Sequence, residues 1–161
     1  MKKLFVCLCV VMVLVGLSCQ TPPPAQEEIS PHLDDALRQI YNRYQSKLDM
    51  TGARDHTVVW GDTLSGVARR YYGGLTNVGD AGRRNGFYFA IILLTSPDSH
   101  IIDPDLIYPG LKLRVIDLRR NLDNPESRQA IKDSLLDIAK IYHAKNRPVE
   151  EAGIIRLSNS L

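Results

Sequence analysis

The fold is decided by the stretch His56-Thr57-Val58-Val59-Trp60-Gly61-Asp62-Thr63-Leu64. Residues 57–60 are β-branched or aromatic and predict a short strand, which the turn dipeptide Gly61-Asp62 ends. Asp62 and Thr63 can cap a helix that follows at once. Apolar side chains then recur at helical spacing until Gly73-Gly74, namely Leu64, Val67, Ala68 and Tyr71.

The residues after Gly74 predict a second helix and a second strand. A loop rich in glycine and asparagine runs to Gly86, and residues 87–95 are apolar enough for a buried helix. Pro97, Pro104 and Pro109-Gly110 mark a long loop. Residues 111–115 then alternate between apolar and charged side chains, as a half-buried strand does. The predicted order is strand, helix, helix, strand.

This order and these residues resemble a LysM module. Residues 56–73 resemble its opening, and Ser96-Pro97-Asp98 with residues 102–113 resemble its closing segment. The resemblance covers residues 56–117, about two fifths of the chain. It implies an α+β fold with a single βααβ module, in which a two-stranded antiparallel sheet carries two helices on one face. Here the module would be flanked by N- and C-terminal amphipathic helices.

The resemblance also implies non-catalytic binding of polymers that contain N-acetylglucosamine, which in bacteria usually means peptidoglycan. The ligand of such modules lies in a shallow groove between the loop after the first strand and the loop before the second. Carried over to this chain, the expected ligand-binding residues are Gly61, Asp62, Thr63, Leu64, Ile102, Asp103, Pro104, Asp105, Leu106 and Ile107.

The chemistry of an acetamido sugar suits these residue types. Its carbonyl, amide N–H, hydroxyls and methyl group require polar groups beside an apolar floor. Gly61 lets the backbone approach closely, and Asp62 and Thr63 add polar atoms. The apolar floor would consist of Leu64, Leu106 and Ile107. The plainer alternative is that Asp62 and Thr63 only cap the helix and Ile107 only packs.

Two features depart from the family pattern. The loop between Gly73 and Phe87 is longer than in most members and carries Arg83-Arg84, either as an added edge to the groove or, preferably, as a solvated insertion. The second helix ends in Thr95-Ser96, where family members commonly have Ala-Asn. A structural side-chain hydrogen bond is therefore expected to be rearranged.

Amphipathic helices flank the module. Ser30-Pro31 opens a helix over residues 30–52, which Gly52 ends. Its apolar stripe is Leu33, Leu37, Ile40, Tyr44 and Leu48, and we expect it to pack on the same domain, with an oligomer seam as the alternative. Asn124-Pro125-Glu126 opens another helix and Pro148 a last one, so residues 124–161 predict a helical hairpin. The buried face of the longer helix would be Ile131, Leu135, Ile138 and Tyr142.

The N-terminus predicts export and lipidation. Lys2-Lys3 precedes an apolar run over residues 4–17, too short for a spanning helix but typical of a signal peptide, here residues 1–18. Gly16-Leu17-Ser18-Cys19 resembles the lipobox of bacterial lipoproteins, which implies a lipid on Cys19 and an anchor in the inner or outer membrane. Residues 19–29 are rich in proline and read as a tether. The chain is therefore expected in the cell envelope, facing the periplasm.

Charge and cysteine content limit the remaining functions. Without Lys2 and Lys3 the basic residues number 18, equal to the 18 acidic residues, so nucleic acid is not an expected partner. Cys19 would be the sole cysteine after processing, which excludes an intramolecular disulfide.

Catalysis is the competing class of function. Asp103 and Asp105 offer two carboxylates on one loop, but they lie within the module's own turn motif, and the four histidines lack metal-ligand spacing. We therefore expect no enzyme, no cofactor and no metal site.

Two other binding functions stay open. The residues around Pro97-Asp98 and Tyr108-Pro109 also resemble LysM modules of small potassium-binding proteins. The flanking helices could instead scaffold envelope partners or mediate self-association.

Overall fold

The protein is described from a computed structural model, which covers residues 33–75, 87–99, 101 and 105–161. Several predicted features lie outside these residues. They are the signal peptide, the lipidation site at Cys19, the tether, Ser30-Pro31, Arg83-Arg84, and the loop residues Ile102, Asp103 and Pro104.

The sheet consists of two antiparallel strands, β1 (Arg54–Thr57) and β2 (Lys112–Val115), with Arg54 opposite Val115 and Thr57 opposite Lys112. The second strand was correctly predicted. The predicted position of the first was wrong, because β1 ends at Thr57 instead of running to Trp60. Val58 still donates from its backbone N to the Leu111 carbonyl at 2.8 Å, but the Val59 carbonyl accepts from Asp62 N and the chain turns.

Two helices complete the predicted order, α2 (Leu64–Tyr72) and α3 (Phe89–Thr95). Thr63 caps α2 by accepting from Gly66 N at 3.0 Å, as predicted. Tyr72, rather than Tyr71, completes the buried face, since Tyr71 is more than one third exposed. Every side chain of α3 is buried, which places this helix at the centre of the core. The α+β fold class, with two helices on one face of the sheet, is confirmed.

Thr95 and Ser96 tie the end of α3 to β2. Thr95 Oγ1 donates to the Arg114 carbonyl at 2.7 Å, and Ser96 Oγ accepts from Arg114 N at 2.8 Å. The two short hydroxyl side chains therefore satisfy both backbone groups of one strand residue.

The N-terminal helix, α1 (Leu33–Tyr44), continues into a single 3₁₀ turn, Gln45–Lys47. Its stripe of Leu33, Leu37, Ile40 and Leu48 is buried within the chain, and Tyr44 is half-buried. The stripe therefore packs on its own domain, as expected. The helix ends well before Gly52, whose φ of 77° serves the turn into β1 instead.

The C-terminal segment forms α4 (Leu118–Asp123), α5 (Pro125–Ala144) and α6 (Pro148–Ser160). Asn124 caps α5 by accepting from Glu126 N and Ser127 N, and α5 and α6 pack together as a hairpin. All four predicted residues of the buried face of α5 are buried: Ile131, Leu135, Ile138 and Tyr142. Helix α4 was not predicted, although its cap uses the same chemistry, with Asp117 accepting from Arg120 N.

Two polar contacts join the N-terminal flanking segment to the C-terminal helices. The fully buried Asn121 donates to the Asp49 carbonyl at 2.8 Å and accepts from Asp49 N at 2.9 Å. Asp137 of α5, also buried, accepts from Arg43 at 2.8 Å and from the Tyr44 hydroxyl at 3.0 Å. Across the described ranges, no helix combines the length and apolarity needed to cross a membrane.

Candidate functional site

Two loops meet at one end of the sheet. The first loop is residues 58–63 and the second loop is residues 105–111. They are joined by two backbone hydrogen bonds, Val58 N to the Leu111 carbonyl at 2.8 Å and Gly110 N to the Val58 carbonyl at 2.9 Å. Gly61 and Gly110 have φ values of 88° and 93°, which non-glycine residues rarely adopt. The two loops therefore form one continuous surface.

Asp62 holds the first loop in shape. Its side chain is only 6% exposed, and its carboxylate accepts from Val59 N at 3.1 Å, from His56 Nε2 at 2.9 Å and from Arg70 at 3.1 Å. The Val59 backbone N–H, followed by the hydrogen bond from His56, lowers the pKa of Asp62. Asp62 thus lies at the predicted site but directs its charge into the loop.

His56 links this carboxylate to Tyr71. Its Nδ1 lies 3.2 Å from the Tyr71 hydroxyl, and the two rings meet edge to face with centroids 5.7 Å apart. With Nε2 donating to Asp62, Nδ1 of a neutral His56 accepts from Tyr71. The chain Tyr71, His56, Asp62 therefore runs behind the first loop and stiffens it.

A groove of about 290 Å³ opens beside the two loops. Thr63, Leu64 and Ser65, at the start of α2, line one side together with Asp105 of the second loop. The other side comes from the C-terminal hairpin. Three predicted ligand residues, Thr63, Leu64 and Asp105, thus come together at one cavity, whose volume is near the lower end of the range of about 300–1,000 Å³ for small-molecule sites.

The other predicted residues lie around this groove or outside the described range. Leu106 is largely exposed, while Ile107 is partly buried and packs against the core. Neither lines the groove. Ile102, Asp103 and Pro104 are outside the described residues.

An exposed apolar cluster on the two loops was missed by sequence reasoning. Trp60 is 92% exposed, and Val59 beside it is 57% exposed. On the second loop, Leu106 and Tyr108 are 68% and 58% exposed. We call these four residues the loop cluster. The loop cluster was not predicted because residues 57–60 were assigned to a strand. The position of Trp60 directly before the Gly61-Asp62 turn could have indicated that its side chain is exposed.

The comparison with known families agrees with this geometry. Residues 56–86 match the LysM domain. The match runs from the end of β1 through α2, and the described α3 and β2 complete the βααβ order beyond it. LysM domains are generally modules that bind N-acetylglucosamine polymers such as peptidoglycan and chitin, and they are typically non-catalytic. No curated protein and no solved structure matches the chain.

The potential metal ligands that the structure describes do not cluster. Within residues 33–75, 87–99, 101 and 105–161, no group of three or more His, Cys, Asp and Glu side chains could hold a metal ion. Asp105, one of the two carboxylates considered for catalysis, instead pairs with Arg147 at 2.9 Å.

Proposed function

We propose that this chain is a non-catalytic peptidoglycan-binding protein of the cell envelope, anchored by a lipid on Cys19. The observation that carries the proposal is the groove at which Thr63, Leu64 and Asp105 meet, within and beside a stretch that matches the LysM domain. Each of these residues was expected to contact the glycan.

The groove has the chemistry that an N-acetylated sugar requires. Leu64 and Phe89 offer an apolar floor for the acetyl methyl group, and Thr63 and Asp105 offer acceptors for hydroxyl and amide hydrogens. Because Asp62 and His56 hold the first loop in place, the loop loses little conformational entropy on binding.

The loop cluster extends this surface beyond a single sugar. Sugar rings present C–H faces that pack on aromatic side chains, and Trp60 and Tyr108 are both exposed for such contacts. We propose that a glycan strand enters the groove and continues over these two rings.

Anchoring and binding reinforce each other in this proposal. A lipid on Cys19 and a proline-rich tether over residues 19–29 would hold the module near the wall. Such confinement raises the effective concentration of the module at a polymeric ligand, so weak binding at each site suffices for retention.

Sedimentation tests the proposed function. The purified chain, kept soluble by a mild detergent, is mixed with insoluble peptidoglycan or with cellulose, a polymer without acetamido groups. We expect depletion of the supernatant with peptidoglycan and none with cellulose. If the same amount of protein stays in the supernatant with both polymers at low salt, the proposal is overturned.

A further inference from the structure

The groove has a second wall that lies outside the stretch matching the LysM domain. This wall consists of Tyr142 at the end of α5 and Arg147, Val149 and Glu150 at the start of α6. Residues 56–86 contribute only the facing side. The groove is therefore a composite of the module and the hairpin.

Packing fixes the hairpin against the module. The rings of Phe89 and Tyr142 meet edge to face with centroids 6.0 Å apart. Gly153 of α6 lies so close to Phe87 that an added Cβ would be 2.2 Å from Cζ of the ring. Across the groove mouth, Arg147 bonds Asp105 of the second loop at 2.9 Å. Three contacts on different elements thus set the width of the groove.

Arg147 retains donors for a ligand. Its contacts with Asp105 and with Glu150, at 2.9 and 2.6 Å, both use Nη2. A guanidinium has five N–H donors, so within the described part of the chain Nε and Nη1 are left to bond a sugar oxygen. Its charge also lies 6.0 Å from the centre of the Tyr142 ring, which helps to orient it.

The charges in the groove favour a neutral ligand. Its described lining includes one guanidinium and two carboxylates, Asp105 and Glu150. The hydrogen bond from Arg147 lowers the pKa of Glu150, so that carboxyl is ionised at neutral pH. A ligand carboxylate would meet a like charge at Glu150, whereas hydroxyl and amide groups would find an acceptor there.

We infer that the C-terminal hairpin forms half of the glycan site, in which Arg147 bonds the sugar and Glu150 disfavours sugars that carry a carboxylate. This inference rests on the proposed glycan-binding function and names its substrate preference.

Calorimetric titration of the purified chain with two tetrasaccharides tests the inference. One is N-acetylchitotetraose, which is neutral, and the other is a peptidoglycan tetrasaccharide with free lactyl carboxylates. We expect the chain to prefer the neutral one by about fivefold or more. Glu150→Gln should reduce that preference toward parity, while Glu151→Gln, on the same helix but outside the groove, should leave it unchanged.

Two further variants examine Arg147 and the groove mouth. Arg147→Gln should weaken binding of both glycans by about tenfold, the usual effect of losing a charge-assisted hydrogen bond. The exposed Arg156 supplies the matched control, Arg156→Gln. Val149→Asp adds a carboxylate at an exposed position in the first turn of α6, where acidic residues are tolerated, and should strengthen the preference for the neutral glycan.

The outcomes separate this inference from the proposed function. If the unmodified chain binds glycan but the Glu150, Arg147 and Val149 variants match it in affinity and preference, the hairpin is not part of the site, and the proposed function stands. If the unmodified chain binds neither tetrasaccharide and does not sediment with peptidoglycan, both fail together. A preference for the lactyl-bearing glycan would overturn the selectivity.

Discussion

At the scale of single residues, Asp62 shows how one carboxylate can shape a binding loop without facing the ligand. Its oxygens satisfy a backbone N–H, a histidine and an arginine, and it is nearly buried. The family resemblance and the polar side chain together predicted Asp62 at the glycan surface. Its position in the loop makes it a support for residues 59–63, whose neighbours contact the glycan in our proposal.

Replacing Asp62 should destabilise the chain in a way that depends on pH. Asp62→Asn removes charge-assisted bonds to His56 and Arg70, and we expect the free energy of unfolding to fall by about 1–3 kcal/mol at pH 7. The folded-state pKa of Asp62 is lowered from 3.8. Its stabilising contribution is therefore complete above that value and is lost as the pH falls through the folded pKa.

Urea unfolding at pH 7, 5 and 3 measures this effect. The difference between the unmodified chain and Asp62→Asn should be constant from pH 7 to 5 and smaller at pH 3. Asp98→Asn, at an aspartate whose side chain is 89% exposed, is the control and should cost little at any of these values. A difference that grows toward low pH would contradict the assigned role.

Trp60 should affect binding and not stability. Because Trp60 is 92% exposed, Trp60→Ala leaves no cavity in the core. The free energy of unfolding should therefore change by no more than about 0.5 kcal/mol. Loss of the stacking surface should reduce glycan affinity by about tenfold. Calorimetric titration with N-acetylchitotetraose measures this, and Leu136→Ala, at an exposed apolar residue of α5 outside the groove, shows whether any exposed apolar residue has the same effect.

At the scale of elements, two side chains at the end of α3 connect this helix to β2. Thr95 and Ser96 stand where family members commonly have Ala-Asn, and together they bond both backbone groups of Arg114. Ser96→Ala leaves Arg114 N without its acceptor, so we expect a loss of about 1–3 kcal/mol in unfolding free energy. Ser160→Ala, at the chain's end, should change it by no more than about 0.5 kcal/mol.

The helices could largely be predicted from the sequence, and the loops could not. Spacing of apolar residues located α1, α2 and α5, because burial on one helical face imposes that spacing, while apolar content located α3 and Pro148 located α6. The pattern of β-branched residues gave the wrong position for β1, since residues 57–59 continue past the last paired residue into the turn. Helix α4 was not predicted, because its six residues are too few to show a clear period of apolar residues.

The candidate site shows the same limit. Family motifs located Thr63, Leu64 and Asp105, which line the groove. They could not locate Arg147 and Glu150, which are distant in sequence and reach the groove through tertiary packing of the hairpin. Exposure of Trp60 was likewise set by where the chain turns, which depends on the contacts of Asp62.

At the scale of the whole molecule, the hairpin and the module behave as one packed unit. Gly153 is the point of closest approach, and Gly153→Ala would place a methyl group against the Phe87 ring beside the groove. We expect a loss of about 1–3 kcal/mol in unfolding free energy from overpacking. Gly74→Ala, where an added Cβ meets nothing within 4 Å, is the matched control. Thermal unfolding of both variants would show the difference.

The central claim is that the two loops and the groove bind an N-acetylated glycan, and the protein's single tryptophan reports on that surface directly. The measurement is a titration of Trp60 fluorescence with N-acetylchitotetraose, with cellotetraose as the control. We predict a saturable shift of the emission to shorter wavelength with the acetylated sugar and no change with the control. An emission spectrum that stays the same through saturating N-acetylchitotetraose, or that responds equally to both sugars, would contradict the claim.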